Sequence, residues 1–260
     1  MRDWFLLVVS SVLKKEKMRI IQLTDIHINK VGEETYGIDI RKNFQEALEV
    51  ILIHEPDLLV ISGDLCLFAP DVSIYQWIYE QLKNYSLPYE LMIGNHDDLE
   101  MMQSLFPSIS KDVKEKSLYY TRTFGDENII FLDSGRGTIE ENQLIWLQKE
   151  LEKHPSTKII FIHYPPFLAG VPFMDNKYPL LTRDGIQKVL LDHQKPISLF
   201  TGHYHVEKTL RRQNVDQNIT PSTYYQLDGA VPDFKVHSKK RGYRMIDVLE
   251  EEVRSMVFYY

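Results

Sequence analysis

Apolar runs of about five residues alternate along this chain with segments in which hydrophobic residues recur every three or four positions. The apolar runs predict buried strands at 19–23, 58–62, 117–124, 128–132, 158–162 and 197–201, with a further strand that ends before Gly94. The helical spacing predicts helices at 40–51, 71–84, 101–106 and 183–193. Strands and helices that alternate in this way pack on one another as layers, so we expect an α/β fold.

Two local signals refine these predictions. Gly125 to Glu127 separates two strand-like runs and indicates a hairpin. Thr138 and Glu141 have the spacing of a capping box, which predicts the start of a further amphipathic helix that continues to Leu151.

The two ends of the chain differ from its middle. Residues 206–260 contain strand-like segments and no convincing helix, which predicts a largely antiparallel sheet that closes the domain. We find no internal repeat, low-complexity tract or Gly/Ser linker, so we expect one domain over 18–260. Residues 1–17 are expected to be an N-terminal extension, non-native or disordered. Their apolar part, 4–13, is too short to span a bilayer, and membrane contact there is the less favoured alternative.

Composition and charge narrow the class of protein. The chain has 260 residues and is 43% hydrophobic, which is normal for a water-soluble globular protein. Its formal net charge of -7 argues against a basic surface for nucleic-acid polymers, but metal ions could still attract a small anionic substrate. Cys66 is the only cysteine, so no intrachain disulfide can form, and we expect a reducing, cytoplasmic location.

Polar side chains follow five of the predicted strands, at the point where each strand ends. They are Asp25 and His27, Asp64, Asn95 and His96, His163, and His203 and His205. Ligands of open α/β sheets bind at this edge, outside the carboxyl ends of the strands. Gly94 permits the sharp turn that presents the two residues after it. Asp25 and His27, two positions apart, are expected to point the same way from the strand.

Each segment alone is explained as well or better by a polar turn or a capping aspartate beside a surface histidine. Together, and with His96 left aside, two Asp, one Asn and four His at one edge would be costly, because neighbouring carboxylates repel each other. Seven donors are too many for one cation but fit two cations that share a bridging carboxylate. Two ions about 3.5–4 Å apart orient the attacking and leaving oxygens of an in-line displacement and make hydroxide available near neutral pH.

These motifs resemble the five ordered blocks of the calcineurin-like metallophosphoesterases. The blocks are Asp25-x-His27, Gly63-Asp64, Gly94-Asn95-His96-Asp97, His163 and Gly202-His203-Tyr204-His205. The resemblance covers about 19–206 and implies a four-layer α/β/β/α sandwich with a dinuclear metal centre. It implies that one ion is held by Asp25, His27, Asp64 and His205, and the other by Asp64, Asn95, His163 and His203.

The same resemblance places His96 outside the metal shell, where it would contact the phosphate and protonate the leaving oxygen. Asp97 and Asp98 are expected to orient His96, although Asp98 is equally suited to cap the helix that follows.

Within the superfamily, the chain resembles most the bacterial class III cyclic-nucleotide phosphodiesterases. The further blocks are Leu132-Asp133-Ser134, Thr220-Pro221-Ser222-Thr223 with Gln226, and Gly242-Tyr243-Arg244. Two departures bear on nucleotide preference: Tyr164 stands where many relatives have a second histidine, and Tyr224-Tyr225 follows the Ser-Thr pair. The protein phosphatase branch fits less well, because Asp64 is not followed by the Asp-Arg-Gly of that branch.

The resemblance implies a metal-dependent phosphoric diester hydrolase that opens a 3′,5′-cyclic nucleotide to the nucleoside monophosphate. Its cofactors would be two divalent or trivalent metal ions, manganese or iron first and zinc as the alternative. We expect a small-molecule phosphodiester as partner and a monomer or homodimer. The alternatives are a phosphoesterase of the same fold acting on nucleotide diphosphate derivatives or phospholipid-linked diesters, and a non-catalytic scaffold. The scaffold is less favoured, because neither a ligand nor the acid is missing.

Overall fold

The computed structural model describes residues 18–33, 35–85, 87–250 and 252–260, and the extension predicted at 1–17 lies outside them. The described strands are β1 Met18–Leu23, β2 Leu58–Ile61, β3 Tyr89–Leu91, β4 Val113–Lys114, β5 Ser117–Leu118, β6 Tyr120–Phe124, β7 Glu127–Leu132, β8 Ile159–Ile162, β9 Ile197–Thr201, β10 Lys208–Arg212, β11 Val215–Ile219, β12 Gln226–Leu227, β13 Val236–Ser238, β14 Gly242–Val248 and β15 Val253–Tyr259. The described helices are α1 Ile40–Ile51, α2 Val72–Lys83, α3 Leu99–Leu105, α4 Pro107–Ser110, α5 Glu141–Lys153, α6 Pro172–Lys177 and α7 Arg183–Asp192, with a 3-10 helix at Leu52–His54.

Two mixed sheets form the centre of the fold. The first has the order β15-β14-β1-β2-β3, in which β1, β2 and β3 are parallel and β14 and β15 run antiparallel to their neighbours. The second has the order β10-β11-β9-β8-β7-β6, with four parallel strands between antiparallel edges. Parallel strands of one sheet all end at the same edge, so the loops after them collect there.

The sheets pack against each other and each carries helices on its other face. One buried cluster joins the two sheets to α1 and α2, and includes Ile20, Val60, Phe44, Ile78, Phe131, Phe161 and Phe200. A second cluster joins the other face of the second sheet to α5 and α7, and includes Ile130, Ile160, Leu199, Leu147 and Leu190. Neighbouring residues of β7, β8 and β9 enter different clusters because side chains alternate across a strand. The predicted four-layer α/β/β/α sandwich is confirmed.

The described strands of the carboxyl-terminal part do not join into one sheet. β14 and β15 extend the first sheet beside β1, whereas β10 and β11 extend the second sheet beside β9. β11 pairs parallel with β9, and only the short pair β12 and β13 stays separate. The prediction of strands is confirmed, but the prediction of one closing sheet is wrong, because these strands pair with edges supplied by distant parts of the chain.

The capping box predicted from Thr138 and Glu141 is also wrong. Helix α5 begins at Glu141 with Glu140 as its N-cap residue, and that residue makes no side-chain capping hydrogen bond. Among the described residues, none of the helices combines the length and the apolar character that crossing a bilayer requires. One domain over 18–260 stays a prediction.

Candidate metal centre

Left-handed turns aim most of the predicted ligands. After β1, φ is 53° at Asp25 and 47° at His27; after β2 it is 53° at Asp64; after β9 it is 66° at His203 and 50° at His205. Residues other than glycine rarely adopt positive φ, and such strain concentrates at functional sites. The chain thus leaves its extended path at these residues. The alternation of side chains along a strand therefore does not describe the orientation of Asp25 and His27.

The loops that carry the ligands approach each other so closely that a side chain could not fit at two glycines. A Cβ on Gly63 would lie 2.7 Å from Nδ1 of His163 and 2.8 Å from the backbone nitrogen of Gly94. A Cβ on Gly202 would lie 2.7 Å from Oδ2 of Asp25. Real Cβ atoms do not approach other atoms this closely. Glycine at these positions therefore lets loops from both sheets meet at one point.

Three overlapping groups of acidic and histidine side chains lie at that point. Within each group, the candidate ligand atoms are all within 4.8 Å of one another. The groups are Asp25, His27 and His205; His27, Asp64 and His96; and Asp64, His163 and His203. Asp64 belongs to two of the groups, and its Oδ2 lies 3.7 Å from Nε2 of His27 and 3.4 Å from Nε2 of His163. Membership of two groups is what a bridging carboxylate requires.

Each histidine of the centre holds one ring nitrogen against a backbone carbonyl oxygen. The pairs are His27 Nδ1 with Cys66 at 3.1 Å, His96 Nδ1 with Phe68 at 3.0 Å, His163 Nδ1 with Ser62 at 2.8 Å, His203 Nε2 with Tyr178 at 3.1 Å and His205 Nδ1 with Tyr225 at 3.1 Å. A carbonyl oxygen only accepts, so each of these nitrogens donates its N–H. The other nitrogen of a neutral ring then offers a lone pair, as in metal-bound histidines.

The free nitrogens face groups that cannot satisfy them. Nε2 of His27 lies 3.0 Å from Nε2 of His205, so two lone pairs oppose each other when both rings are neutral. Nε2 of His205 also lies 3.4 Å from Oδ1 of Asp25. A cation between these atoms converts repulsion into coordination. The donor set, imidazole nitrogens with carboxylate oxygens, therefore fits transition-metal ions.

The pKa values of the centre agree with this arrangement. Burial lowers the pKa of His27 to about 4 and that of His203 to about 3, which keeps both rings in the neutral form that binds metals. Burial alone would raise the pKa of Asp25. The neighbouring His205 ring has the opposite effect, and the pKa of Asp25 is lowered to about 2. For His163, the negative charge of Asp64 outweighs burial and raises the pKa to about 9. Metal binding would displace that proton.

The turn after β3 carries the last two predicted residues. The backbone N–H of His96 donates to Oδ1 of Asp64 at 3.0 Å, and its ring centroid lies 5.0 Å from that of His27. His96 therefore borders the centre, as expected for an acid. Asn95 is exposed on this turn. The structure brings together the other six predicted ligands and His96, and ligation by Asn95 stays a prediction.

Residues 18–207 match the family model described as calcineurin-like phosphoesterase. The chain belongs to this family. Calcineurin-like phosphoesterases use a dinuclear metal centre, and the groups around Asp64 are the candidate ligands for it in this phosphoesterase.

Named relatives agree with the family assignment. The phosphoesterase is 32% identical to a probable cyclic nucleotide phosphodiesterase from Fibrobacter succinogenes, over 97% of this chain and 98% of the relative. It is 30% identical to a probable glycerophosphodiester phosphodiesterase from Arcobacter nitrofigilis, over 72% of each chain. A dimetal phosphatase from Danio rerio shares the fold, with a TM-score of 0.69, 13% identity, and coverage of 95% of this chain and 100% of that structure. The protein is a metal-dependent phosphoric diester hydrolase.

Asp97 supports the centre of this phosphoesterase in a way that the sequence did not indicate. Its carboxylate accepts hydrogen bonds from the backbone N–H groups of Leu65 at 3.0 Å, Cys66 at 3.2 Å and Gly94 at 2.9 Å. These bonds tie the loop after β2 to the loop after β3. Burial and the charge of Asp64 raise the pKa of Asp97 to about 7. Asp97 thus fixes the loop of Asp64, whereas Asp98 caps α3 through the backbone N–H of Met101.

The sequence also did not indicate the packing of Tyr164 at the centre or the backbone carbonyls that orient the imidazoles. The ring of Tyr164 stacks on that of His203 with 3.7 Å between centroids, so this residue packs on a ligand. The carbonyl oxygens of Phe68, Tyr178 and Tyr225 orient three imidazoles. Residue type carries no signal for a backbone carbonyl, so only the folded chain could identify them.

Proposed function

We propose that the protein hydrolyses a 3′,5′-cyclic nucleotide to the nucleoside monophosphate. The observation that carries the proposal is a carboxylate, Asp64, that lies in one group with the buried His163 and His203 and in another with the buried His27 and the partly exposed His96. The relative from Fibrobacter succinogenes, named a probable cyclic nucleotide phosphodiesterase, supports the substrate class because it matches along nearly its whole length.

The proposed ligands are the buried members of the three groups, and the family resemblance adds Asn95 and the sharing of Asp64 between two ions. Asp25, His27, Asp64 and His205 would hold one ion, and Asp64, Asn95, His163 and His203 the other. When bound, two such ions polarise the phosphoryl oxygens and lower the pKa of water, so that a nucleophile is available near neutral pH. The mixed nitrogen and oxygen donors favour manganese or iron, with zinc as the alternative.

His96 is the proposed general acid. Its Nδ1 donates to the carbonyl oxygen of Phe68, so its other nitrogen, Nε2, is free to carry the second proton of the imidazolium and to give that proton to the leaving oxygen. Its backbone N–H is fixed by Asp64, so the ring keeps its place at the centre. In the reaction, the oxygen of water adds to phosphorus and loses a proton, and the bond from phosphorus to one ribose oxygen breaks. That ribose oxygen takes a proton from the His96 imidazolium, and the proton lost by water restores the imidazolium.

A second substrate class is supported by the relative from Arcobacter nitrofigilis, named a probable glycerophosphodiester phosphodiesterase. Both classes are small-molecule phosphodiesters, and the same acid would serve either leaving oxygen. We keep a monomer or homodimer and a cytoplasmic location as parts of the proposal. A non-catalytic scaffold is disfavoured because the centre retains its acid and six buried donors.

A substrate panel tests the proposal. Protein loaded in turn with manganese, iron or zinc is assayed with cyclic adenosine monophosphate, glycerophosphoethanolamine, a phosphate monoester and a nucleotide diphosphate derivative. We expect the cyclic nucleotide to have the highest kcat/KM, and metal analysis to give two ions per chain. Preference for glycerophosphoethanolamine would replace the first substrate class with the second. Preference for the monoester would contradict the proposal.

A further inference from the structure

Five aromatic side chains form a continuous cluster beside the metal centre, which we name the aromatic rim. Its members are Tyr36, Tyr225, Phe234, Phe173 and Tyr178. Successive ring centroids along this order lie 5.7, 6.2, 5.8 and 5.6 Å apart. The rim is assembled from three separate segments: the loop before α1, the α6 region, and the loops around β12 and β13.

Two residues of the rim, Tyr225 and Tyr178, contact histidines of the metal centre. The ring of Tyr225 lies 4.9 Å from the ring of His205, and its carbonyl oxygen accepts from Nδ1 of that histidine. At the other end, the carbonyl oxygen of Tyr178 accepts from Nε2 of His203 at 3.1 Å. A group held by the rim would therefore lie next to a phosphate at the metal centre.

The rim is fixed by the fold although its rings face solvent. Tyr36, Tyr178 and Phe234 are 55%, 51% and 46% exposed. Tyr36 has a φ of 53°, which is unusual for a bulky residue, and Nζ of Lys239 donates to its carbonyl oxygen at 2.6 Å. Grouped exposed aromatic rings mark binding sites on soluble proteins. A strained backbone held by a specific contact indicates that the position of the ring matters.

We propose that the aromatic rim binds the planar base of a nucleotide whose phosphate lies at the metal centre. This inference rests on the proposed function and selects between its two substrate classes. Stacking needs a flat π surface, which every nucleobase has and a glycerol group lacks. The rim thus sets specificity, and the ligands and His96 perform the reaction on whatever diester is bound.

Equilibrium binding separates the rim from catalysis. The manganese-loaded protein is titrated with adenosine 5′-monophosphate and with ribose 5-phosphate by calorimetry, in wild type and in Phe234→Leu and Tyr36→Leu. Leucine keeps an apolar side chain and removes the π face. We expect the wild type to bind the nucleotide at least about tenfold more tightly than the sugar phosphate, and each variant to lose much of that preference. Binding of ribose 5-phosphate should not change.

Two controls accompany this titration. Phe234→Tyr restores an aromatic ring and should restore nucleotide affinity. Tyr259→Leu removes a 43% exposed aromatic ring from β15, outside the rim, and should change neither affinity. Equal affinity of the wild type for both ligands, or equal weakening of both by Phe234→Leu, would overturn the proposal. Binding of phosphatidylglycerol vesicles that is lost in Phe234→Leu would also overturn it and assign the rim to a lipid.

The rim and the proposed function can fail separately. If cyclic nucleotides are hydrolysed but adenosine monophosphate and ribose 5-phosphate bind equally, the function stands and the rim proposal is overturned. If no cyclic nucleotide is hydrolysed but the nucleotide binds preferentially and Phe234→Leu removes the preference, the rim proposal stands and the proposed reaction is wrong.

Discussion

Two sets of aromatic rings, one on neighbouring strands of the second sheet and one just beyond the ends of these strands, have nearly the same spacing. They differ in whether they require a bound ion. In the core between the sheets, Phe161 lies 5.4 Å from Phe131 and 5.4 Å from Phe200, measured between centroids. Just beyond the strand ends, His163 lies 5.2 Å from His203. Neighbouring strands about 4.8 Å apart set both spacings.

The difference lies in what completes each set. The phenylalanine rings are stabilised by burial and by dispersion contacts with one another, and these interactions require no bound ion or ligand. The imidazoles have one nitrogen satisfied by a carbonyl and the other left with a lone pair, so the set is complete only with a cation. We therefore expect the packing of the core to be stable without metal, whereas the arrangement of the histidines at the sheet edge should depend on bound metal. Four experiments test this difference, and they are given in order of decreasing effect.

Asp64→Ala should have the largest effect, because this carboxylate is shared by two groups of donors. We expect loss of both ions and a fall in kcat/KM of about a thousandfold or more, since two-metal stabilisation of the transition state is worth several kcal/mol. Metal analysis and diester hydrolysis measure the two effects. Asp64→Asn, which keeps size and removes charge, is the matched variant if alanine disturbs folding. Full retention of two ions in both variants would contradict the bridge.

Phe161→Ala should damage the core and spare the edge. Removing a fully buried ring leaves a cavity and should cost about 3–5 kcal/mol of unfolding free energy, measured by urea denaturation. The folded fraction should still bind two metal ions. Ile53→Ala, at a side chain 78% exposed, should change stability by less than about 0.5 kcal/mol. Loss of metal from folded Phe161→Ala would show that core and edge are not separable.

His96→Ala should remove the acid while leaving the ions in place. We expect kcat for a cyclic nucleotide to fall by about 10²–10⁴-fold with unchanged metal content. A diester with a 4-nitrophenol leaving group needs little protonation, so its hydrolysis should fall much less. His154→Ala, a histidine beyond the end of α5, serves as the control and should behave as wild type. If both substrates slow down equally, His96 acts in some role other than leaving-group protonation.

Chelation should make stability depend on pH in a defined way. Without metal, the lowered pKa values of His27 and His203 cause stability to fall as the pH drops from about 6.5 towards 4, because the unfolded chain takes up protons first. Above pH 6.5, stability should fall again towards 9, as His163 loses the proton that the folded state holds more tightly.

Thermal unfolding across this pH range measures the profile of the metal-free protein. The metal-loaded protein should lack the alkaline decline, because the ion has already replaced the His163 proton. An alkaline decline of equal size in both forms would argue against His163 as a ligand.

The tertiary structure corrected the sequence analysis where distant parts of the chain meet. β11 was expected in an antiparallel sheet and instead pairs parallel with β9, a partner that local pattern cannot specify. Asp97 was expected to serve His96 and instead holds the loop of Asp64. The Thr138 capping box had the correct spacing, but the N-cap residue of α5 is Glu140, two residues beyond Thr138. In each case, several partners were compatible with the local sequence, and the tertiary structure selected one of them.

The sequence by itself determined the alternation of strands and helices and the residue types at the strand ends, because apolar period and short motifs are local properties. It therefore also determined the family. Only the tertiary structure decided that six of the seven donors and His96 share one point, that backbone carbonyls leave one nitrogen of each imidazole free, and that five rings line one side. These are contacts between residues far apart in the chain, and they exist only once both sheets have packed.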